Sequence, residues 1–123
     1  MGRKLQIVVV DDEVMITDLI ESFLRLSSKN ADVHCFNDSV RAKEFLSTHT
    51  TDVLITDYKM PVVDGIQLIE ATPPKTKRIM ISGYVSEIAE GMLEKLDAVF
   101  FEKPVPMKKL GEIIEREERR IDN

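Results

Sequence analysis

Five short apolar runs, rich in β-branched residues, recur along the chain: Leu5 to Val10, Ala31 to Phe36, Val53 to Thr56, Arg78 to Ile81 and Ala98 to Phe101. Runs of this length with little polar alternation suit strands buried on both faces. Between them the apolar period changes. Ile16, Leu19, Ile20, Phe23 and Leu24 fall on one helical stripe, and Asp38 is placed to cap a helix burying Ala42, Phe45 and Leu46. Asp64-Gly65 opens a short helix carrying Ile66, Leu68 and Ile69, which Pro73-Pro74 ends. Val85, Ile88, Ala89, Met92 and Leu96 make a fourth stripe, weakened by Gly91, and Met107, Leu110, Ile113 and Ile114 a fifth. Strands alternating with helices in this way predict an α/β fold, a doubly wound five-stranded parallel sheet covered on both faces.

The rest of the sequence is consistent with one such unit. At 123 residues, 43% of them apolar, the chain has the size of one domain spanning 1–123, with enough apolar material for a core. Cys35 is the only cysteine, so no internal disulfide or cysteine-based zinc cluster can form, and a reducing, cytoplasmic setting is expected. The apolar run before Asp11 is too short for a signal-peptide core or a membrane span. A net charge of −5 argues against nucleic acid as a direct partner, because such binding depends on neutralising phosphates. Near the C-terminus Lys108, Lys109, Arg116, Arg119 and Arg120 alternate with Glu112, Glu115, Glu117 and Glu118, which reads as a solvated helix face.

Parallel sheets of this kind gather their functional groups just beyond the strand C-termini, at a topological switch point. The first strand runs into Asp11-Asp12, the third into Asp57, the fourth into Ser82 and the fifth into Lys103; the second ends at Phe36-Asn37 without a comparable acid. Converged, these ends place three carboxylates, a hydroxyl and an ammonium in one pocket. At about 4 Å and an effective dielectric near 20, each ionised carboxylate pair costs on the order of 4 kcal/mol. Either the carboxyls hold their protons or a cation neutralises them. Oxygen ligands without histidine or cysteine suit Mg²⁺, which keeps room for a phosphoryl group. Lys103 and Ser82 supply a charge and a donor for phosphoryl oxygens, and a carboxylate there can act as nucleophile. Taken singly, each signal has a plain alternative: Asp12 as a helix cap, Asp64-Gly65 as a turn, Lys103-Pro104 as a surface loop.

The ordered set resembles the receiver domain of two-component response regulators over essentially the whole chain. The resemblance rests on Asp11-Asp12 with Glu13, the stretch from Asp57-Tyr58-Lys59-Met60-Pro61 to Asp64-Gly65, then Ser82-Gly83, then Lys103-Pro104. It implies a flavodoxin-like (βα)5 fold with strand order 2-1-3-4-5. It also implies that Asp57 is the phosphoacceptor, served by a sensor histidine kinase or a histidine phosphotransfer protein. Asp11, Asp12, Asp57 and the Lys59 backbone carbonyl would hold Mg²⁺. Ser82, Gly83 and Lys103 would receive the phosphoryl group, with Phe100 as the switch aromatic and Pro104 following a cis peptide bond. Lys59 and Tyr84 match positions that tune dephosphorylation. Output would pass through helix 4, strand 5 and helix 5 to a downstream effector or a second copy, with no membrane role.

Two features of the sequence differ from the common family pattern. The interval from Asp57 to Ser82 is short, so the third helix is expected to have about two turns, and Ser82 stands where threonine is commoner. Phe100 is either that moving aromatic or a static core ring. His34, His49 and Cys35 are expected to lie outside the chemistry. A phosphatase-type enzyme would carry a second acid two residues after Asp57, where Lys59 stands, and a nucleotide-binding module would carry a glycine-rich loop in place of Asp11-Asp12-Glu13.

Overall fold

The computed structural model describes residues 3–83, 88 and 90–122. The elements alternate throughout: β1 (Leu5–Val10), α1 (Val14–Ser27), β2 (Ala31–Phe36), α2 (Ser39–Thr48), β3 (Val53–Thr56), α3 (Gly65–Glu70), β4 (Lys77–Ser82), α4 (Glu90–Leu96), β5 (Val99–Glu102) and α5 (Met107–Asp122). The strands form one parallel sheet in the order β2-β1-β3-β4-β5, the flavodoxin-like arrangement expected from the sequence. Leu5 pairs with Ala31, Val10 with Thr56, Thr56 with Met80 and Ser82 with Glu102, so β2, β1 and β3 end level and β4 and β5 run two residues further along the same edge.

Alternation of side chains splits the core into two layers. Leu5, Ile7, Val9, Val53, Ile55, Ile79 and Ile81 face α1 and α5, meeting Ile20, Leu24, Leu110 and Ile114. Val8, Val10, Leu54 and Met80 face the other way, onto Ala42 and Leu46 of α2, Leu68 and Ile69 of α3, Ile88, and Leu96 of α4. Fully burying a side chain of this size is worth roughly 1.5–3 kcal/mol, so these two layers carry most of the stability.

Helix α1 corrects one expectation. Thr17, Ile20 and Leu24 form its buried line, flanked by Ile16 and Phe23, while Leu19 is 52% exposed. An arc centred on Ile20 already fills the space above the sheet, and Leu19 lies just outside it. Asp38 caps α2 through the Val40 and Arg41 N–H groups, as expected. Asp64 caps α3 reciprocally with Gln67, and α3 keeps only six residues, the two turns expected. The fourth stripe begins in the sequence at Val85; of that stripe, Val85 and Ala89 lie outside the described residues, and α4 is described from Glu90.

Two arginines tie elements together. Arg78 on β4 donates to Thr72 Oγ1 at 2.9 Å, to the Thr72 carbonyl at 2.9 Å and to the Leu96 carbonyl at 3.0 Å. It thereby satisfies one of the terminal carbonyls of α4, next to Asp97, which turns the chain out of the helix at φ 48°. At the same strand-N-terminal edge of the sheet, Asp52 accepts two bonds from Arg3, both at 2.6 Å, and one from the Gln6 N–H at 2.7 Å. Burial pushes the Asp52 carboxyl up, but Arg3 and Gln6 together outweigh it and leave it below the usual carboxylate value. A carboxyl lowered in the folded state adds stability above its unfolded value, and that stability is lost as the pH falls through the folded value. Asp52→Ala is therefore expected to cost about 2 kcal/mol at neutral pH. Denaturant titrations of both proteins should show the gap closing as the medium is acidified.

Candidate functional site

The strand order creates a switch point between β1 and β3, whose onward connections leave in opposite directions. Asp11 and Asp12 follow β1 and Asp57 follows β3, so the site begins with the two strands that flank this crevice. One carboxylate oxygen from each of Asp11, Asp12 and Asp57 lies within 4.8 Å of the others. Asp11 and Asp57 are buried and Asp12 is exposed. Lys103, just past β5, places its Nζ 3.0 Å from Asp11 Oδ2, 3.3 Å from Asp57 Oδ2 and 3.6 Å from Glu13 Oε1. The Lys103-Pro104 peptide bond is cis, as the resemblance implies. Ser82 is buried at the end of β4, and its carbonyl accepts from the Lys103 N–H at 3.1 Å.

The acids and the lysine respond differently to this crowding. Burial pushes the Asp11 carboxyl up, and the charge of Asp57 adds to that; the Glu13 N–H and Lys103 offset only part of it. Burial works against the charged form of Lys103 too, yet Asp11 and Asp57 more than compensate and hold its ammonium above the usual value. The asymmetry follows from numbers: Lys103 gains from more than one acid, whereas Asp11 shares one cation and faces another acid. Asp12, Glu13, Asp57, Lys59, Gly83 and Lys103 line an open cavity of ≈ 480 Å³ above the cluster. A divalent cation suits this donor set, which is all oxygen, lies within 4.8 Å and carries excess negative charge.

The other residues singled out in the sequence divide between the cavity and the rest of the fold. Lys59 is exposed on the cavity rim, and Gly83 also lines it. Phe100 is half-buried and packs into the layer that meets α2, α3 and α4, outside the cavity lining. Tyr84 lies outside the described residues. His34 bonds Gln6 Oε1 at 3.0 Å, and His49 stacks on Phe45 with centroids 3.8 Å apart, so neither joins the acids. Cys35 packs towards α1, where burial pushes its thiol up to about 11, leaving it unreactive at neutral pH.

Supporting roles emerge that the sequence reading did not assign. Asn37 Nδ2 donates to the Asp11 carbonyl at 2.8 Å and to Thr17 Oγ1 at 2.9 Å, which locks the chain after β1 against the start of α1. Asn37 follows β2, and its contribution there is positioning. Ser39 Oγ donates to the Pro61 carbonyl at 2.7 Å and accepts from the Val63 N–H at 3.2 Å. Between them Val62 has φ 72°, and the Val63 N–H also reaches the Pro61 carbonyl at 2.9 Å, a tight three-residue turn that is strained for a β-branched residue. Gly65 donates its N–H to the Tyr58 carbonyl at 2.8 Å, and a Cβ there would clash hard with the Asp57 backbone oxygen and come 2.9 Å from Met80 Cε.

Fold and site together define a doubly wound α/β domain with an acidic pocket at its switch point. Residues 7–115 match the profile of the response regulator receiver domain, and the chain belongs to that family. Protein-glutamate methylesterase/protein-glutamine glutaminase 2 of Shewanella sp. (strain MR-4) is 31% identical over 96 residues, covering 75% of this chain and 27% of that protein. Response regulator protein PilR of Pseudomonas aeruginosa is 30% identical over 128 residues, covering 94% of this chain and 28% of that protein. The chain thus spans little more than a quarter of the length of these relatives. The crystal structure of a CheY-like response regulator receiver domain protein from Methanospirillum hungatei JF-1 shares the fold, with a TM-score of 0.84, 23% identity and 97% coverage of both chains.

Because the position of Asp57 depends on the missing Cβ of Gly65, Gly65→Ala is expected to destabilise the protein by about 3 kcal/mol. Thermal melts should show the loss, and the corresponding Gly111→Ala, which meets only the Phe23 ring at 3.0 Å, should show far less.

Proposed function

We propose that Asp57 takes a phosphoryl group from a phosphohistidine on a sensor histidine kinase or a histidine phosphotransfer protein. A carboxylate oxygen of Asp57 attacks phosphorus, the P–N bond breaks, and the imidazole leaves with the electron pair and takes up a proton. The product is an acyl phosphate on Asp57. The observation that carries this reading is the convergence of Asp57, Asp11, Asp12 and Lys103 at one end of the sheet. Asp11, Asp12, Asp57 and the Lys59 carbonyl would hold Mg²⁺, which when bound neutralises the acids and the charge of the incoming phosphoryl oxygens. Lys103 pairs with one phosphoryl oxygen, while Ser82, beside Gly83, offers a hydroxyl to another. The tight turn at Val62 and the bond from Gly65 to Tyr58 keep the Asp57 loop in place during the transfer.

Receiver domains act as phosphorylation-switched signalling units, and the same reading extends to output here. Drawing Ser82 towards the phosphoryl group frees space beside β5 into which the Phe100 ring can turn, changing the face built from α4, β5 and α5. That face would meet a downstream effector or a second copy of the chain. As a unit spanning 1–123 in the cytoplasm, the chain would be a phosphoacceptor rather than an enzyme, with at most slow Mg²⁺-dependent self-phosphorylation from small donors and slow autodephosphorylation. Contact with nucleic acid or membrane is not part of this reading.

Intact mass after incubation with acetyl phosphate and Mg²⁺ tests it. One base-labile phosphoryl group is expected on the wild type, and none on Asp57→Asn or in the presence of EDTA. Lys59 and Tyr84 are proposed to restrict water at the acyl phosphate, so Lys59→Ala should shorten the phosphoryl lifetime about threefold or more. An unchanged decay rate would remove Lys59 from that role.

A further inference from the structure

We propose that Glu13 is a positioning residue that gives Lys103 a second resting place when a divalent cation occupies the aspartates. The inference rests on the cation-dependent phosphoacceptor reading of the same pocket. Glu13 sits at the N-cap of α1, where serine, threonine, aspartate or asparagine ordinarily turns its side chain back onto the helix N–H groups. Glu13 makes no such side-chain bond. Its main chain alone serves the local structure: the N–H donates to Asp11 Oδ1 at 2.9 Å, and the carbonyl accepts from the Ile16 and Thr17 N–H groups. The carboxylate instead approaches Lys103 at 3.6 Å, an arrangement that breaks a local rule beside a functional site.

The reason lies in competition for two carboxylates. Lys103 rests on Asp11 Oδ2 and Asp57 Oδ2, and both residues belong to the cluster that a cation would bridge. A dication and an ammonium held on the same two carboxylates repel each other strongly. Lys103 must therefore move, and it needs a counter-ion within reach that is not itself a cluster ligand. Glu13 meets both conditions: it is already beside Nζ, and it lies outside the triad formed by Asp11, Asp12 and Asp57. Its side chain is 66% exposed, so it can follow the lysine at little desolvation cost. A lysine held there also stays at the cavity wall, from which it can return to an incoming phosphoryl oxygen.

Calorimetric titration of the full chain with MgCl₂, with no phosphodonor present, tests the role apart from phosphorylation. Glu13→Gln is expected to weaken Mg²⁺ binding about two- to fivefold, the span that an exposed ion pair supports. Glu13→Asp keeps the charge but draws it back towards the helix cap, and it should weaken binding to the same degree. In a Lys103→Met background, Glu13→Gln should have almost no further effect, because the partner through which it acts is gone. Wild-type affinity in Glu13→Asp, or equal weakening with and without Lys103, would overturn the proposal and leave Glu13 as a bare surface charge. Absence of Mg²⁺ binding by the wild type would instead overturn the cation reading of the pocket, and this role with it.

Discussion

Mutual repulsion among Asp11, Asp12 and Asp57 is the constraint around which this end of the molecule is arranged. Two of the three acids are buried, and one lysine stands between them. Folding must hold this cluster together against a Coulombic cost, and it does so with elements that are rigid for other reasons. β3 is fully buried and β1 is buried except at Gln6, and each delivers its aspartate from a strand end that cannot retreat without exposing core. Asn37, Ser39 and Gly65 then fix the loops that carry the acids and their neighbours. The strain at Val62 belongs to the same pattern, since unfavourable local geometry persists where the surroundings over-determine it.

The two edges of the sheet differ in electrostatic character. At the strand N-termini, Asp52 is matched by the bidentate Arg3 and by a backbone N–H, so its charge is satisfied and contributes to stability. At the C-termini, negative charge exceeds the positive charge available, and the Asp11 carboxyl is pushed up. One edge thus holds a satisfied charge and the other a charge deficit. The deficit marks the second edge as the place where a cation or a phosphoryl group would change the balance of states.

Most of the architecture was legible in the sequence because burial on both faces leaves a plain mark. Leu5 to Val10, Ala31 to Phe36 and Val53 to Thr56 are strands at those very bounds, and Asp38 and Asp64 are the caps their positions suggested. The acids, Ser82 and Lys103 were legible because chemistry placed at strand ends is conspicuous in an apolar background. Leu19 was misplaced because helical periodicity gives a stripe but not its width against a particular sheet. Asn37, Ser39 and Gly65 were harder to see as supports: their contributions are a carbonyl held, a loop bridged and a Cβ omitted, and each depends on which backbone happens to pass nearby. Residue type alone does not encode such a meeting.

The hold that Arg78 keeps on α4 has a mechanical consequence. The guanidinium joins the Leu96 carbonyl to Thr72, so the C-terminal end of α4 is riveted to the strand whose other end carries Ser82. A rod fixed at one end does not slide under a push; it swings, and its displacement grows with distance from the rivet. At about 1.5 Å of rise per residue, the arm from Leu96 back to Glu90 is roughly 9 Å long. Met92 and Gly91, far along that arm, would travel further than Lys95 for the same rotation. The helix is in this sense a built-in magnifier, and its gain is set by an arginine that sits at the far end of β4 from Ser82.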